Sequence, residues 1–156
     1  GTPSPPSARP DGALPRCRVL GRPLFPRLGC REYLDIQGYT TERIAILHLG
    51  IIAAQGRGHR QDEGTFLGNL GSAYKDLGQV EKAIEHYTQA LVISREISYR
   101  QGESNHLGNL GQAYAALGQA EKARTLWQQA LVIFEDIHSP NAETVRAWLA
   151  GLDGVP

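Results

Sequence analysis

RQDEGTFLGNLGSAYKDLGQVEKAIEHYTQALVISREISY, residues 60–99, is followed directly by RQGESNHLGNLGQAYAALGQAEKARTLWQQALVIFEDIHS, residues 100–139. Aligned without gaps, 22 of the 40 positions are identical. A fixed period of this length marks a repeat architecture, in which one unit cannot bury its apolar face alone and stacks on a neighbour. The question of function moves from chemistry to surface.

Each unit reads as two helices. Leu67, Leu70, Tyr74 and Leu77 recur at steps of three and four, one face of a helix. Gly78-Gln79 breaks the pattern, and Ala83, Ile84, Tyr87, Ala90, Leu91 and Ser94 resume it. The second unit repeats this with Leu107, Leu110, Tyr114 and Leu117, then Ala123, Trp127, Ala130, Leu131 and Phe134. Small residues at Gly71, Ala73, Ala83 and Ala90, and again 40 positions later, let helices approach closely, with Tyr87 or Trp127 filling the groove beside them. Glycine inside a helix costs roughly 1 kcal/mol relative to alanine. Gly68, Gly71, Gly108 and Gly111 therefore need a reason, and close backbone approach at Gly71 and Gly111 is the expected one. Gly78 and Gly118 fall where a helix ends in the left-handed cap position. The pattern predicts helices near 63–77, 80–97, 103–117, 120–137 and 140–152, and no β-sheet.

The flanks carry less phase. Residues 1–31 hold seven of the nine prolines, both cysteines (Cys17 and Cys30) and six arginines, with no lysine. Such a stretch cannot bury enough apolar surface to offset its ordering entropy. Residues 1–40 are therefore expected to form a disordered or irregular arm, mobile and dispensable over 1–31. It has no apolar run of the signal-peptide kind. The chain begins with Gly1 rather than Met and reads as a fragment. Shifting the second repeat helix back by 40 puts its apolar positions on Ile44, Leu47, Gly50 and Ile51, with Arg43 mismatched at an alanine position. Residues 41–59 thus read as a degenerate half repeat. The arginine-only basic residues and the loss of phase before residue 55 also fit a shifted reading frame. After the repeats, Ser139-Pro140 is a helix start, and Val145, Trp148, Leu149 and Leu152 form one stripe. Residues 140–156 are expected to be a capping helix.

The apolar run from Ile44 to Ala54 is too short to span a membrane, which takes about 20 residues. Formal charge is zero overall, +4 over residues 1–59 (eight Arg, four acids) and −3 over 60–139 (seven Lys/Arg, ten acids). A nucleic-acid binder would present a strongly basic domain. No catalytic set emerges. The five histidines, His48, His59, His86, His106 and His138, lack metal-ligand spacing. His86 reads as a solvated imidazole on a polar face. Glu81 and Glu121 sit beside Lys82 and Lys122 at helix starts, where acids favour the macrodipole. GNLG at 68–71 and 108–111 lacks the Gly-Lys-Ser/Thr ending of a phosphate loop and falls within a helical period. Neither an enzyme nor a cofactor or metal site is expected.

The matched positions resemble the tetratricopeptide repeat: Leu70-Gly71-x-x-Tyr74, Ala83, Tyr87 and Ala90, then Leu110-Gly111-x-x-Tyr114, Ala123, Trp127 and Ala130. The closing proline is absent and the period is 40 rather than 34. That is similar to the longer subclass with N-L-G-x-A-Y and L-G-x-x-E-K-A, found in polarity scaffolds and bacterial signalling proteins. The resemblance implies an all-α solenoid of antiparallel helix hairpins with a C-terminal capping helix. It also implies a concave groove, lined by the first helix of each unit, that takes a peptide. The candidate binding residues are Thr65, Asn69, Ser72, Lys75 and Asp76 in one unit, and Asn105, Asn109, Gln112 and Ala116 in the next. An amide both donates and accepts, so Asn69 and Asn109 are suited to a peptide backbone. Some members clamp a partner's terminal carboxylate with Lys and Arg. Gly68 and Gly108 stand where the first clamp lysine would be, which argues against that mode.

The leading expectation is a non-enzymatic, cytoplasmic scaffold that binds a protein or peptide, without nucleic acid or membrane, and self-associates through exposed repeat ends. The alternative is the sensor or oligomerisation arm of a larger signalling ATPase or regulator whose output domain lies outside this chain.

Overall fold

A computed structural model describes residues 18–19, 22–23 and 30–154. The chain divides into two units, residues 1–39 and 40–156. In the first, β1 (Arg18–Val19) and β2 (Arg22–Pro23) pair antiparallel, Arg18 opposite Pro23 and Val19 opposite Arg22. The expectation of no β-sheet is corrected at these four residues. The expected irregular arm otherwise lies outside the described residues as far as position 29.

The second unit is helical, and its first helix begins within the first unit. The helices are α1 (Cys30–Arg57), α2 (Arg60–Asp76), α3 (Val80–Glu96), α4 (Arg100–Ala116), α5 (Ala120–Asp136) and α6 (Asn141–Asp153). The run of α1 back to Cys30 departs from the sequence reading, which started a helical segment at 41. Residues 30–37, CREYLDIQ, contain no Gly or Pro and several good helix formers. Loss of repeat phase reports on packing, not on helix formation.

α2 to α5 match the expected hairpins, although α2 and α4 begin three residues earlier. Their first turns are polar and carry no apolar phase. They hold acids instead, Asp62 and Glu63 in α2 and Glu103 in α4, which suit the positive helix end. Gly78 and Gly118 both adopt φ of +73°. After α2, the Gly78 N–H donates to the Lys75 carbonyl and the Gln79 N–H to that of Tyr74, each at 2.9 Å, closing the helix in the expected left-handed cap. Ser98 and His138 take the equivalent positive-φ place after α3 and α5.

Each of α2 to α5 packs on the helix that follows, and α2 also touches α4. Ala83, Ala90, Ala123 and Ala130 are fully buried. Gly71 is glycine because a Cβ there would meet the Tyr87 ring at 2.8 Å and the Ala83 carbonyl at 3.1 Å; at Gly111 it would collide with the Trp127 indole. The close approach read from the pattern is therefore largely to the aromatic wedge of the partner helix. Each wedge is also tied by a hydrogen bond. The Tyr87 hydroxyl and Ser72 Oγ lie 3.0 Å apart, and Trp127 Nε1 donates to the Gly108 carbonyl at 3.1 Å. A buried phenol or indole N–H left unpaired would cost about 1–3 kcal/mol.

At one end, Leu47 and Ile51 of α1 join Leu67, Leu70 and Ile93 in one cluster, with Ile44 packed beside it. Gly50 lies against Phe66, whose ring a Cβ would meet at 2.9 Å. Arg43, at the alanine position, pairs with Asp76 at 3.3 Å. At the other end, Ala142 and Val145 of α6 are buried, and Trp148, Leu149 and Leu152 pack against the same cluster as α5. The Ser139 hydroxyl accepts from the Asn141 N–H at 3.3 Å, so Pro140 lies just ahead of α6.

Candidate functional site

The first helix of each repeat, together with α6, lines a cavity of about 360 Å³. From α2 come Thr65, Gly68, Asn69 and Ser72; from α4 come Gly102, Asn105, His106, Gly108 and Asn109. α6 supplies Asn141, Thr144, Val145 and Trp148, while Phe134 and Tyr99 reach in from α5 and from the turn before α4. Spacing explains the row. Thr65, Asn69 and Ser72 are four and three apart, and Asn105 and Asn109 are four apart, so each set shares one helix face.

Five of the residues named from sequence thus meet in one place: Thr65, Asn69, Ser72, Asn105 and Asn109. Among the described residues, the Asn69 and Asn109 amides have no hydrogen-bond partner within the chain. Asn105 accepts from Gln101 at 3.3 Å, and the Thr65 hydroxyl donates to the Gln61 carbonyl at 2.9 Å. The remaining candidates lie elsewhere. Lys75 Nζ donates to Gln112 Oε1 at 3.0 Å, which ties α2 to α4, and Asp76 is engaged by Arg43. Ala116 is exposed at the end of α4.

Sequence reasoning missed His106, and the signal was present. The first repeat has Phe66 at the same position, and an exchange of aromatic for imidazole inside a repeat marks a changed environment. His106 is 7% exposed, and its Nδ1 is buried without a hydrogen-bond partner among the described residues. Its ring covers Gly68, where a Cβ would collide with it. Burial pushes its pKa down to about 4, so the imidazole is neutral at pH 7. Gly68 is glycine to admit this ring. The contribution of α6 was also missed, because a terminal helix reads as a lid over the last repeat rather than as one wall of a cavity.

His86 needs a correction. It is not a solvated imidazole: it stacks on Tyr74 with ring centroids 5.2 Å apart, and its Nδ1 is buried without a partner among the described residues. Burial lowers its pKa, opposed by nearby Glu85. A second, more open cavity of about 500 Å³ adjoins it, lined by α1, α2 and α3. There the walls carry charge, with Arg60 and Glu63 among them. Among the described residues, none around the first cavity is an Asp, Glu, Lys or Arg. Among the described residues, no group of three or more His, Cys, Asp or Glu could hold a metal ion, and no helix is long and apolar enough to cross a membrane.

Comparison with known proteins follows the same division. The tetratricopeptide repeat family matches residues 62–136, which run from the first turn of α2 to the end of α5. No curated protein matches the chain. The paired glycine-and-aromatic wedges, the doubled hairpins and this match converge: the chain is a tetratricopeptide repeat protein, its repeats being of a family of protein-interaction modules.

Proposed function

We propose that this chain is a non-enzymatic scaffold that holds a peptide or an extended protein segment along the face of α2, α4 and α6. The observation that carries the reading is the pair of amides, Asn69 and Asn109, at the same repeat position on one cavity and without a hydrogen-bond partner among the described residues. Such groups offer donors and an acceptor to a peptide main chain whatever its side chains. The 40-residue period fits the long-repeat subclass of scaffolds and signalling proteins, and a cytoplasmic location would suit that role.

The test begins with a pull-down on the full chain and mass spectrometry to identify a partner. Calorimetry then compares the parent with the Asn69→Ala, Asn109→Ala double variant. Each bond contributes roughly 0.5–1.5 kcal/mol, so affinity is expected to fall about five- to a hundred-fold, with melting unchanged or slightly raised. Unchanged affinity would move the binding site off this face.

A second reading has its own observation. Ile46, Leu49 and Ile52 stand exposed along α1, which favours an oligomerisation arm of a larger regulator, self-associating through this end. A single monomeric mass by light scattering at high micromolar concentration would remove that reading.

A further inference from the structure

The cavity has two different ends. Toward α2 its walls are hydroxyls and amides: Thr65, Ser72, Asn69. Toward α6, beside Asn141 and Thr144, lies its apolar surface: Phe134 and Val145 are buried, and Trp148 leans on Trp127 with ring centroids 5.4 Å apart. Gly108 lies between these walls, and a Cβ there would meet only Trp148, at 3.7 Å, an ordinary contact. Its missing side chain is therefore space that the fold does not require. The Gly68 case differs, because the His106 ring fills the place of that side chain.

The charge pattern narrows the occupant. Among the described residues no Asp, Glu, Lys or Arg lines the cavity, and His106 is neutral. The charged residues adjacent in sequence to its lining, Arg100, Glu103, Glu135, Glu143 and Arg146, are paired with one another or with Arg95 and Asp136. A charged side chain entering here would lose water and find no counter-charge. An apolar one would gain by covering the half-buried Trp148 indole.

We infer that the α6 end of the cavity is a side-chain pocket for one aromatic or branched apolar residue, carried by an uncharged peptide segment whose main chain lies on Asn105 and Asn109. This rests on the peptide-binding reading and adds the identity of the residue that is selected. α6 is then a wall of the binding site as well as a cap on the repeats.

The test uses the full chain and four blocked peptides, Ac-Gly-Xaa-Gly-Gly-NH2 with Xaa as Phe, Gly, Glu or Lys. Proton–nitrogen correlation spectra follow the two indole N–H signals and the asparagine side-chain amides. With Phe, the Trp148 indole and the Asn105 and Asn109 amides should shift and saturate. Glu and Lys peptides should bind at least tenfold more weakly than Phe. Gly108→Ala narrows the pocket without collision; it should weaken the Phe peptide at least fivefold while its melting temperature stays level or rises.

Equal binding of the Glu or Lys peptide, or unchanged binding by Gly108→Ala, overturns the pocket. If the Gly peptide shifts the asparagines as strongly as the Phe peptide, the main-chain reading survives and the side-chain pocket falls. If no peptide moves any residue of this face, both are overturned.

Discussion

The two repeats build the same hairpin and use it differently. Their shared positions hold the structure: Leu70 and Leu110, Ala83 and Ala123, and Gly71 and Gly111 with their aromatic wedges. Lys82 lies over the Tyr74 ring at 5.2 Å, and Lys122 over Tyr114 at 5.1 Å, the same cation–π contact in each hairpin. Arg60 pairs with Glu63 and Glu96, and Arg100 with Glu103 and Asp136, so one arginine staples each hairpin at its open end. The positions that differ make the two ends of the site unlike, while Asn69 and Asn109 repeat across it. Phe66 becomes His106 and Ser94 becomes Phe134, the latter turning a small buried hydroxyl into one wall of the cavity. Identity along the repeat carries the packing and the paired asparagines, and the departures from identity set the two ends of the cavity apart.

The comparison breaks first if the shared small residues are not helix crossings. Ala83 and Ala123 are both fully buried. Ala83→Leu inserts three carbons where the structure leaves no room, and a loss of about 3 kcal/mol is expected, the upper part of the range for overpacked cores. Ala123→Leu should cost about the same. Thermal melting of both variants checks it, and a parent-like melt of either would show that its site is not a crossing.

A smaller effect separates Phe66 from His106. His106 has an ordinary pKa of 6.5 and about 4 in the fold, lowered by burial alone. The unfolded chain therefore takes up its proton first as pH falls. The stability that the neutral ring supports is complete above about pH 6.5 and is lost progressively from there down to about pH 4. By pH 5 the loss is on the order of 2 kcal/mol. His106→Phe, which copies the first repeat, should remove this dependence. Denaturant melts of both proteins at pH 7 and pH 5 would show the gap between them widen in acid. Parallel losses would mean that the imidazole is not held neutral.

Gly68 and Gly108 sharpen the same contrast, because one residue stands at one repeat position for two reasons. Gly68→Ala collides with the buried His106 ring. Set against the helix preference for alanine, a net loss of about 1–2 kcal/mol is expected. Gly108→Ala has only an ordinary contact to make and should gain up to about 1 kcal/mol. In a His106→Ala background the Gly68→Ala penalty should disappear.

These cases also show where the sequence was legible. Period, helix faces, wedges and glycine caps all follow from local spacing, and 22 matched positions make the spacing visible twice. The row of Thr65, Asn69, Ser72, Asn105 and Asn109 was legible for the same reason, since a helix face is a matter of counting. The cavity's apolar end was not. It depends on where α6 lands on α4 and α5, and no repeat partner exists to set that register. Lys75, Asp76 and Gln112 were named from the same face, but long polar side chains choose partners across helices, and spacing along one helix does not reveal Arg43 or the Lys75–Gln112 bond. His86 was misread because its burial comes from Tyr74 on the neighbouring helix.

The least expected effect lies at the junctions between units. Arg95 of α3 pairs with Glu103 of α4 at 2.9 Å, while Glu135, at the same repeat position in α5, pairs with Arg146 of α6 at 2.6 Å. The charge is reversed from one junction to the next, so each junction prefers its own neighbour. Arg95, Glu135 and Arg146 are half exposed and Glu103 is mostly covered, and pairs at the surface contribute about 0–1 kcal/mol. Arg95→Glu places two carboxylates together and leaves Glu103 to Arg100 alone, with an expected loss below about 1 kcal/mol. Combining Arg95→Glu with Glu103→Arg restores the Arg95–Glu103 junction in the reversed sense but sets the new arginine beside Arg100. Recovery should therefore be partial, and fuller when Arg100→Glu is added. A double-mutant cycle at low and high salt measures this. Coupling that vanishes at low salt would mean that the reversed charges do not distinguish one junction from the other, and that apolar packing alone sets the order of the units.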